Sequence, residues 1–420
     1  MLIGFTSVFD YFLGLAIASA REPVRKRLLI LDIAINLGLL ATFKYLNFFI
    51  DSTNMLLAGT GMRLGTLQVI LPIGISFFVF EAMSYCIDIY RGQLEPCRRW
   101  RDFGLFIFFF PRMIAGPIIR PADFLPQLEH RLELRWPNVL IGGQMFLLGM
   151  TKKLVIADNL APFSDLVFAN PTAYSGSTLL QAALAYTIQI FCDFSGYSDM
   201  ALGLARLLGI DLPVNFRLPY VAANLTDFWR RWHISLSSWL RDYLYIPLGG
   251  NRRGTPRTYV NLFLTMVLGG LWHGASWHFV VWGALHGLGL AMHKAYRTFL
   301  SAGVPERSGS ALRALSWAVT FAYVVLTWIF FRCQSVSDAL VCVSRIAGWA
   351  TSGIHWSSAQ LLTFGSAVIG AHFVASARQR HKPLYLQPSR FPHLVLLLTW
   401  ILGIFFLAAG HSSPFIYFQF

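Results

Sequence analysis

The sequence predicts an all-α integral membrane protein, on three observations. Apolar residues make up 55% of the 420 and charged residues only 13%, against roughly 25% charged in a soluble globular chain. Ten apolar windows approach the ~20 helical residues that a hydrocarbon core requires. The basic residues, 34 against 20 acidic ones, fall as short runs between those windows, so that the net charge of +14 forms no basic domain for nucleic acid. Aromatic residues at 15% exclude a disordered chain.

The first window, 3–20, has no basic residue ahead of it, and the run Arg21–Arg27 follows it, an order that suits a retained span better than a cleaved signal peptide. Windows 28–50 and 68–90 come next. Phe103–Phe110 is too short to cross, and Pro111, Gly116 and Pro117 follow it, so 103–119 reads as re-entrant or interfacial backbone. Windows 138–157 and 178–200 precede a mixed region, 201–257, whose interleaved aromatic and charged residues suit amphipathic helices at the membrane surface. Windows 258–274, 277–293, 314–332, 359–377 and 392–410 complete the ten, and 333–350 is a candidate eleventh. The loops 21–27, 91–137, 201–257, 294–313 and 377–391 hold 28 of the 34 Lys and Arg, while the opposite side holds Arg63 and Arg345. This asymmetry puts the heavy loops in the cytoplasm and both termini outside. Residues 1–420 read as one polytopic domain, with a core over 68–297 and C-terminal helices over 314–410.

Familiar soluble-enzyme signatures are missing from the sequence: there is no phosphate-loop motif, no H-E-x-x-H, no G-x-S-x-G and no His-x4-Asp. No internal repeat supports an inverted-repeat transporter. The five cysteines form no C-x-x-C pair, which argues against a disulfide framework or zinc ribbon.

Polar residues in apolar surroundings are therefore the functional candidates. His273 stands in Leu268-Gly-Gly-Leu-Trp-His-Gly-Ala-Ser-Trp277, where histidine can act as acid or base near neutral pH and the glycines permit close approach. A packed histidine bonding a neighbouring helix is the competing reading. His233 stands in Phe228-Trp-Arg-Arg-Trp-His-Ile-Ser-Leu-Ser237, whose tryptophans and arginines suit interfacial anchors. In Cys192-Asp-Phe-Ser-Gly-Tyr-Ser-Asp199, Asp193 and Asp199 can bind a sugar hydroxyl, orient a histidine or cap helix ends, with capping expected for at least one. Arg112 enters the apolar layer within Phe110-Pro-Arg-Met-Ile-Ala-Gly-Pro117. His278, His286 and His293 share one span, but no carboxylate occurs between residues 243 and 305, so no metal site is expected.

Taken together, these segments resemble the membrane-bound O-acyltransferase family, and within it the bacterial branch that O-acetylates alginate and similar polysaccharides. The resemblance also rests on Leu71-Pro-Ile-Gly-Ile-Ser-Phe77, Asp123-Phe-Leu-Pro-Gln127, Arg241-Asp-Tyr-Leu-Tyr-Ile-Pro-Leu-Gly-Gly-Asn251, Trp282-Gly-Ala-Leu-His286 and Phe415-Ile-Tyr-Phe-Gln-Phe420. It covers the chain from about residue 28 onward, with less apolar sequence ahead of the first span than the family usually carries. The resemblance implies a bundle of about 10–11 helices around a central tunnel, with His273 and His233 as the catalytic pair. Trp272, Asp193, Ser195, Tyr197, Asp199, Arg112 and Arg241 are then the expected substrate contacts, and Gly269 and Gly270 the narrow point of the tunnel. The expected reaction takes acetyl from acetyl-CoA or another activated donor at the cytoplasmic face of a bacterial inner membrane. The acceptor is an exported polysaccharide, reached directly or through a periplasmic or membrane-anchored partner. D-alanyl transfer to teichoic acid and a transporter with a histidine proton relay are the rival readings.

Overall fold

The computed structural model describes residues 2–67, 71–72, 74–113, 116–130, 132–300, 309–378, 385–410 and 413–416. Residues 68–70 of the third window, Ile73, Ile114, Ala115 and Tyr417–Phe420 of the motifs, and parts of the loops 294–313 and 377–391 lie outside them. Among the described residues the only β feature is one isolated bridge, Tyr174 to Ile354. The chain divides into two units, Met1–Gly142 with Leu204–Pro213, and Gly143–Gly203 with Val214–Phe420.

The first unit contains α1 (Leu2–Ser19), α2 (Val24–Leu40), α3 (Leu46–Leu56), α4 (Ile75–Tyr90), α5 (Trp100–Ile107) and the short α6 (Pro121–Phe124). Its core joins Tyr11 and Ile17 of α1, Tyr85 and Ile89 of α4, and Phe103, Phe106, Phe109 and Phe124. Arg25 donates to the carbonyls of Ile89 and Tyr90 at 2.8 Å, satisfying acceptors that the end of α4 leaves open. Part of the polar cost of burial is met locally. Asn36 donates to Asp10 at 3.0 Å, and Glu81 of α4 accepts from the Ile119 amide at 3.1 Å while pairing with Arg112.

The second unit is carried by α7 (Trp136–Met150) and α8 (Asp158–Ala169), the 32-residue α9 (Gly176–Leu207), and short α10 (Leu225–Arg231) and α11 (Ile234–Leu240). A hairpin of α12 (Thr255–His273) and α13 (Trp277–Ala295) follows, then α14 (Ser310–Arg332), α15 (Val336–Ala347), α16 (Ala359–Ala377) and α17 (Phe391–Leu407). A wide π turn over Thr151–Ala157 joins α7 to α8. The first turns of α7 and the last of α9 belong to the first unit.

Each expected window contains helix among its described residues, the third only from Ile75 onward, and four described helical stretches are long and apolar enough to cross a membrane: Val24–Leu56, Trp136–Ala169, Ser310–Arg332 and Ala359–Ala377. Ile3–Ser19 and Phe391–Leu407 are shorter apolar helices. The candidate eleventh crossing fails on length. Ser335 caps α15 by accepting from the Asp338 amide at 3.0 Å, and the chain turns left-handed at Trp349 with φ 45°. The 12 residues between reach ~18 Å, against a core of ~30 Å. Within 201–257 the expected amphipathic pieces appear as α10 and α11, and 103–119 is broken after α5 as expected.

Candidate active site

His233 is fixed by backbone geometry before any side-chain contact. Asn224 caps α10 by accepting from the Asp227 amide at 2.8 Å, and the helix ends where Trp232 turns extended. His233 then takes a left-handed conformation, φ 43° and ψ 55°, from which α11 starts. A non-glycine residue held there costs about 1 kcal/mol or more and marks a place where the surroundings dictate the backbone. Asn215 does much of the dictating. Its carbonyl accepts from the Ile234 amide at 3.0 Å. Its side-chain oxygen accepts from the Ser235 amide at 3.2 Å and the Ser235 hydroxyl at 2.7 Å.

That same oxygen lies 3.4 Å from His233 Nδ1. Because the Ser235 N–H can only donate, the Asn215 atom facing it is the amide oxygen, and Nδ1 of His233 carries the proton. Nε2 is then the basic nitrogen. Burial pushes the imidazole down to about 3, so the ring is neutral near pH 7.

His273 is the last residue of α12, buried, with Gly274 leaving in extended backbone. Its ring packs at right angles on Trp282 at 5.2 Å and on Phe331 at 5.2 Å. The structure brings the two histidines together across forty residues: their ring centroids are 6.5 Å apart. Trp272 lies 6.2 Å from His233, and Phe194 of α9 closes on it at 4.6 Å. The result is a pair of histidines in an aromatic enclosure, in which water competes little for a developing charge.

The remaining expected contacts divide. Asp193 and Asp199 lie inside α9, so neither caps a helix end, contrary to expectation. Asp193 accepts from Lys153 Nζ at 2.6 Å and from the Ile416 amide at 2.9 Å. Lys153 also reaches Asp158 at 2.8 Å and donates to the Ser413 carbonyl at 2.9 Å, so this network pins the C-terminal segment. Asp199 pairs with Lys152 at 2.6 Å. Both lysines reach α9 because Gly149 and Gly196 let the two backbones touch; a Cβ at Gly149 would lie 2.4 Å from the Gly196 carbonyl oxygen. Ser195 is buried, and its hydroxyl has no partner among the described residues. Tyr197 packs on Phe415 at 4.9 Å. Arg241 is exposed and paired with Asp242 at 2.6 Å.

Arg112 belongs to the first unit, buried against Glu81 and donating to the Phe106 carbonyl. Its geometry is that of a strut. Arg112→Leu is therefore expected to destabilise the protein by about 3–5 kcal/mol, by leaving Glu81 charged and unpaired, and a matching Glu81→Leu to recover part of the loss. Thermal unfolding in detergent checks this; undiminished stability with transfer abolished would make Arg112 a substrate contact instead.

The tunnel reading of Gly270 is corrected. A Cβ there would lie 2.3 Å from the Phe279 carbonyl oxygen and 3.1 Å from Gly283 Cα, so Gly270 is where α12 and α13 touch. A Cβ at Gly269 would meet Leu240 at 3.1 Å. Gly270→Leu is thus expected to lower the amount of folded protein through overpacking, at about 1–3 kcal/mol or more. Normal abundance and thermal stability with no transfer would restore the tunnel reading.

Sequence reasoning missed Asn215, which no motif marks, and misread two tryptophans. Trp232 is buried against Phe216 and Trp328 at 5.0 Å each, and Trp229 donates to His286 Nδ1 at 3.3 Å. Neither is an interfacial anchor. His278 and His293 make their own contacts, with the Phe330 carbonyl at 3.1 Å and the Thr226 hydroxyl at 3.0 Å. No group of three or more His, Cys, Asp or Glu able to hold a metal occurs among the described residues.

The profile of the membrane-bound O-acyltransferase family matches residues 101–336, which contain both histidines and the aromatic enclosure. The chain belongs to that family. It is 42% identical to a probable alginate O-acetylase of Azotobacter vinelandii, over 92% of this chain and 77% of the relative. A probable alginate O-acetylase of Pseudomonas putida is 39% identical, over 99% and 89%. A peptidoglycan O-acetyltransferase of Helicobacter pylori is 39% identical, over 83% and 70%. Teichoic acid D-alanyltransferases are more distant, with that of Streptococcus thermophilus at 28% over 64% of this chain. This O-acyltransferase is therefore a multi-pass membrane enzyme.

Proposed function

We propose that the protein transfers acetyl from an activated donor at the cytoplasmic face to hydroxyls of an exported polysaccharide, alginate being the first candidate. The observation that carries the reading is the buried His233–His273 pair, 6.5 Å between centroids, in a chain whose similar relatives are O-acetylases. Acetyl-CoA is the proposed donor. It is charged and the polymer is large, so neither crosses a bilayer readily, and a path through the protein joins them without moving either across. The proposed setting is a bacterial inner membrane, and the charge asymmetry of the loops supports an orientation with both termini on the periplasmic side.

In the reaction the accepting hydroxyl oxygen attacks the acetyl carbonyl carbon, and His273 takes the hydroxyl proton. The C–S bond of the thioester then breaks, and the proton passes from His273 to the departing thiolate, so the histidine is regenerated. His233, neutral and with Nε2 unprotonated, orients the donor or the accepting hydroxyl. The hydroxyl belongs to the polymer or to a serine on a periplasmic partner that completes the transfer. Removing the gene is expected to strip O-acetyl esters from the exported polymer, as NMR of that polymer would show. An unchanged ester content would overturn the reading.

A further inference from the structure

Two buried N–H donors stand beside the histidine pair with nothing to receive them. Trp282 and His286 are four residues apart on α13, on one face, with ring centroids 4.8 Å apart and both almost wholly buried. Neither Trp282 Nε1 nor His286 Nε2 has a hydrogen-bond partner among the described residues. The His286 proton can be assigned. The Trp229 indole only donates, and it lies 3.3 Å from His286 Nδ1, so Nδ1 accepts and the proton sits on Nε2. Trp282 in turn packs on His273 at 5.2 Å. Buried donors are almost always satisfied, so two orphans, one on the ring packed against the reacting histidine and one on the ring next to that, point to an acceptor that arrives with substrate.

We infer that Trp282 and His286 bind the carbonyl oxygen of the acyl donor, and that Trp229 is a positioning residue that holds His286 in its Nε2–H form. As the hydroxyl attacks, the carbonyl π electrons move onto that oxygen. The two fixed N–H groups hold the resulting charge until it returns and the thiolate leaves. This assignment rests on the acetyl-transfer reading above and supplies the stabilising donors that such a reaction needs.

The test follows the rate at which O-acetyl esters appear in exported polymer, at matched protein levels in cells. His286→Phe and Trp282→Phe are each expected to lower it by about 10²–10³-fold, the usual cost of one such donor. His286→Gln, which returns an N–H, is expected to recover at least tenfold over His286→Phe. Trp229→Phe should lower the rate severalfold in the wild-type background but add nothing to His286→Gln, where no tautomer needs fixing. Should His286→Phe fail to accumulate, His286→Gln and the Trp229 comparison decide. A His286→Phe rate within twofold of wild type would overturn the assignment, as would a Trp229→Phe penalty of the same size in both backgrounds. Those results leave the acetyl-transfer reading standing if removing the gene still strips the esters; an unchanged ester content after removal would take away that reading instead.

Discussion

Replacing His273 by alanine is expected to lower acetyl transfer by about 10²–10⁴-fold while leaving the protein inserted and as heat-stable as the parent. The range is what a positioned proton acceptor contributes to a reaction of this type. The structural cost is small because His273 is the last residue of its helix, where the chain already leaves in extended backbone, and its ring packs edge-on against Trp282 and Phe331. Steady-state rates in membranes, set beside detergent melting curves, separate chemistry from folding. A variant that melts normally and retains more than a tenth of the rate would show that another group takes the proton.

At His233 chemistry and backbone must be separated by the choice of substitution. Alanine removes the imidazole and also places a Cβ residue with little tolerance for φ 43° where the native histidine is held by its neighbours. Asparagine removes the imidazole too, but tolerates the left-handed region well. Both variants are expected to lose transfer by about 10²-fold or more, and only the alanine variant to lose abundance and melting temperature as well. Wild-type transfer in His233→Asn would show that this position serves the turn between α10 and α11 and takes no part in the reaction.

Much of this was legible in the residues because the membrane restricts what a sequence can mean. A histidine framed by glycine and tryptophan in an apolar window could be nominated beside the reading of a packed histidine, whereas its pairing with His233, forty residues away, came from the family resemblance. The misreadings share one cause. Tryptophan and arginine side by side look the same at a lipid interface and in the wall of a buried site; only the Trp229–His286 contact and the burial of Trp232 tell them apart. Asp193 and Asp199 look like caps until Lys152 and Lys153 arrive from a π turn, a widening that no periodicity announces. Asn215 stands alone between valine and phenylalanine, and its hold on residues 233–235 exists only once the chain has folded back.

The central claim, that the histidine pair serves a transfer running through the membrane, is tested most directly in sealed inside-out vesicles. Polysaccharide is enclosed in the lumen, which corresponds to the periplasm, and labelled acetyl-CoA, which does not cross the bilayer, is added outside. The account predicts that wild-type vesicles esterify the enclosed polymer with labelled acetyl and that His273→Ala vesicles do not. Label reaching the polymer only after the vesicles are opened would contradict it.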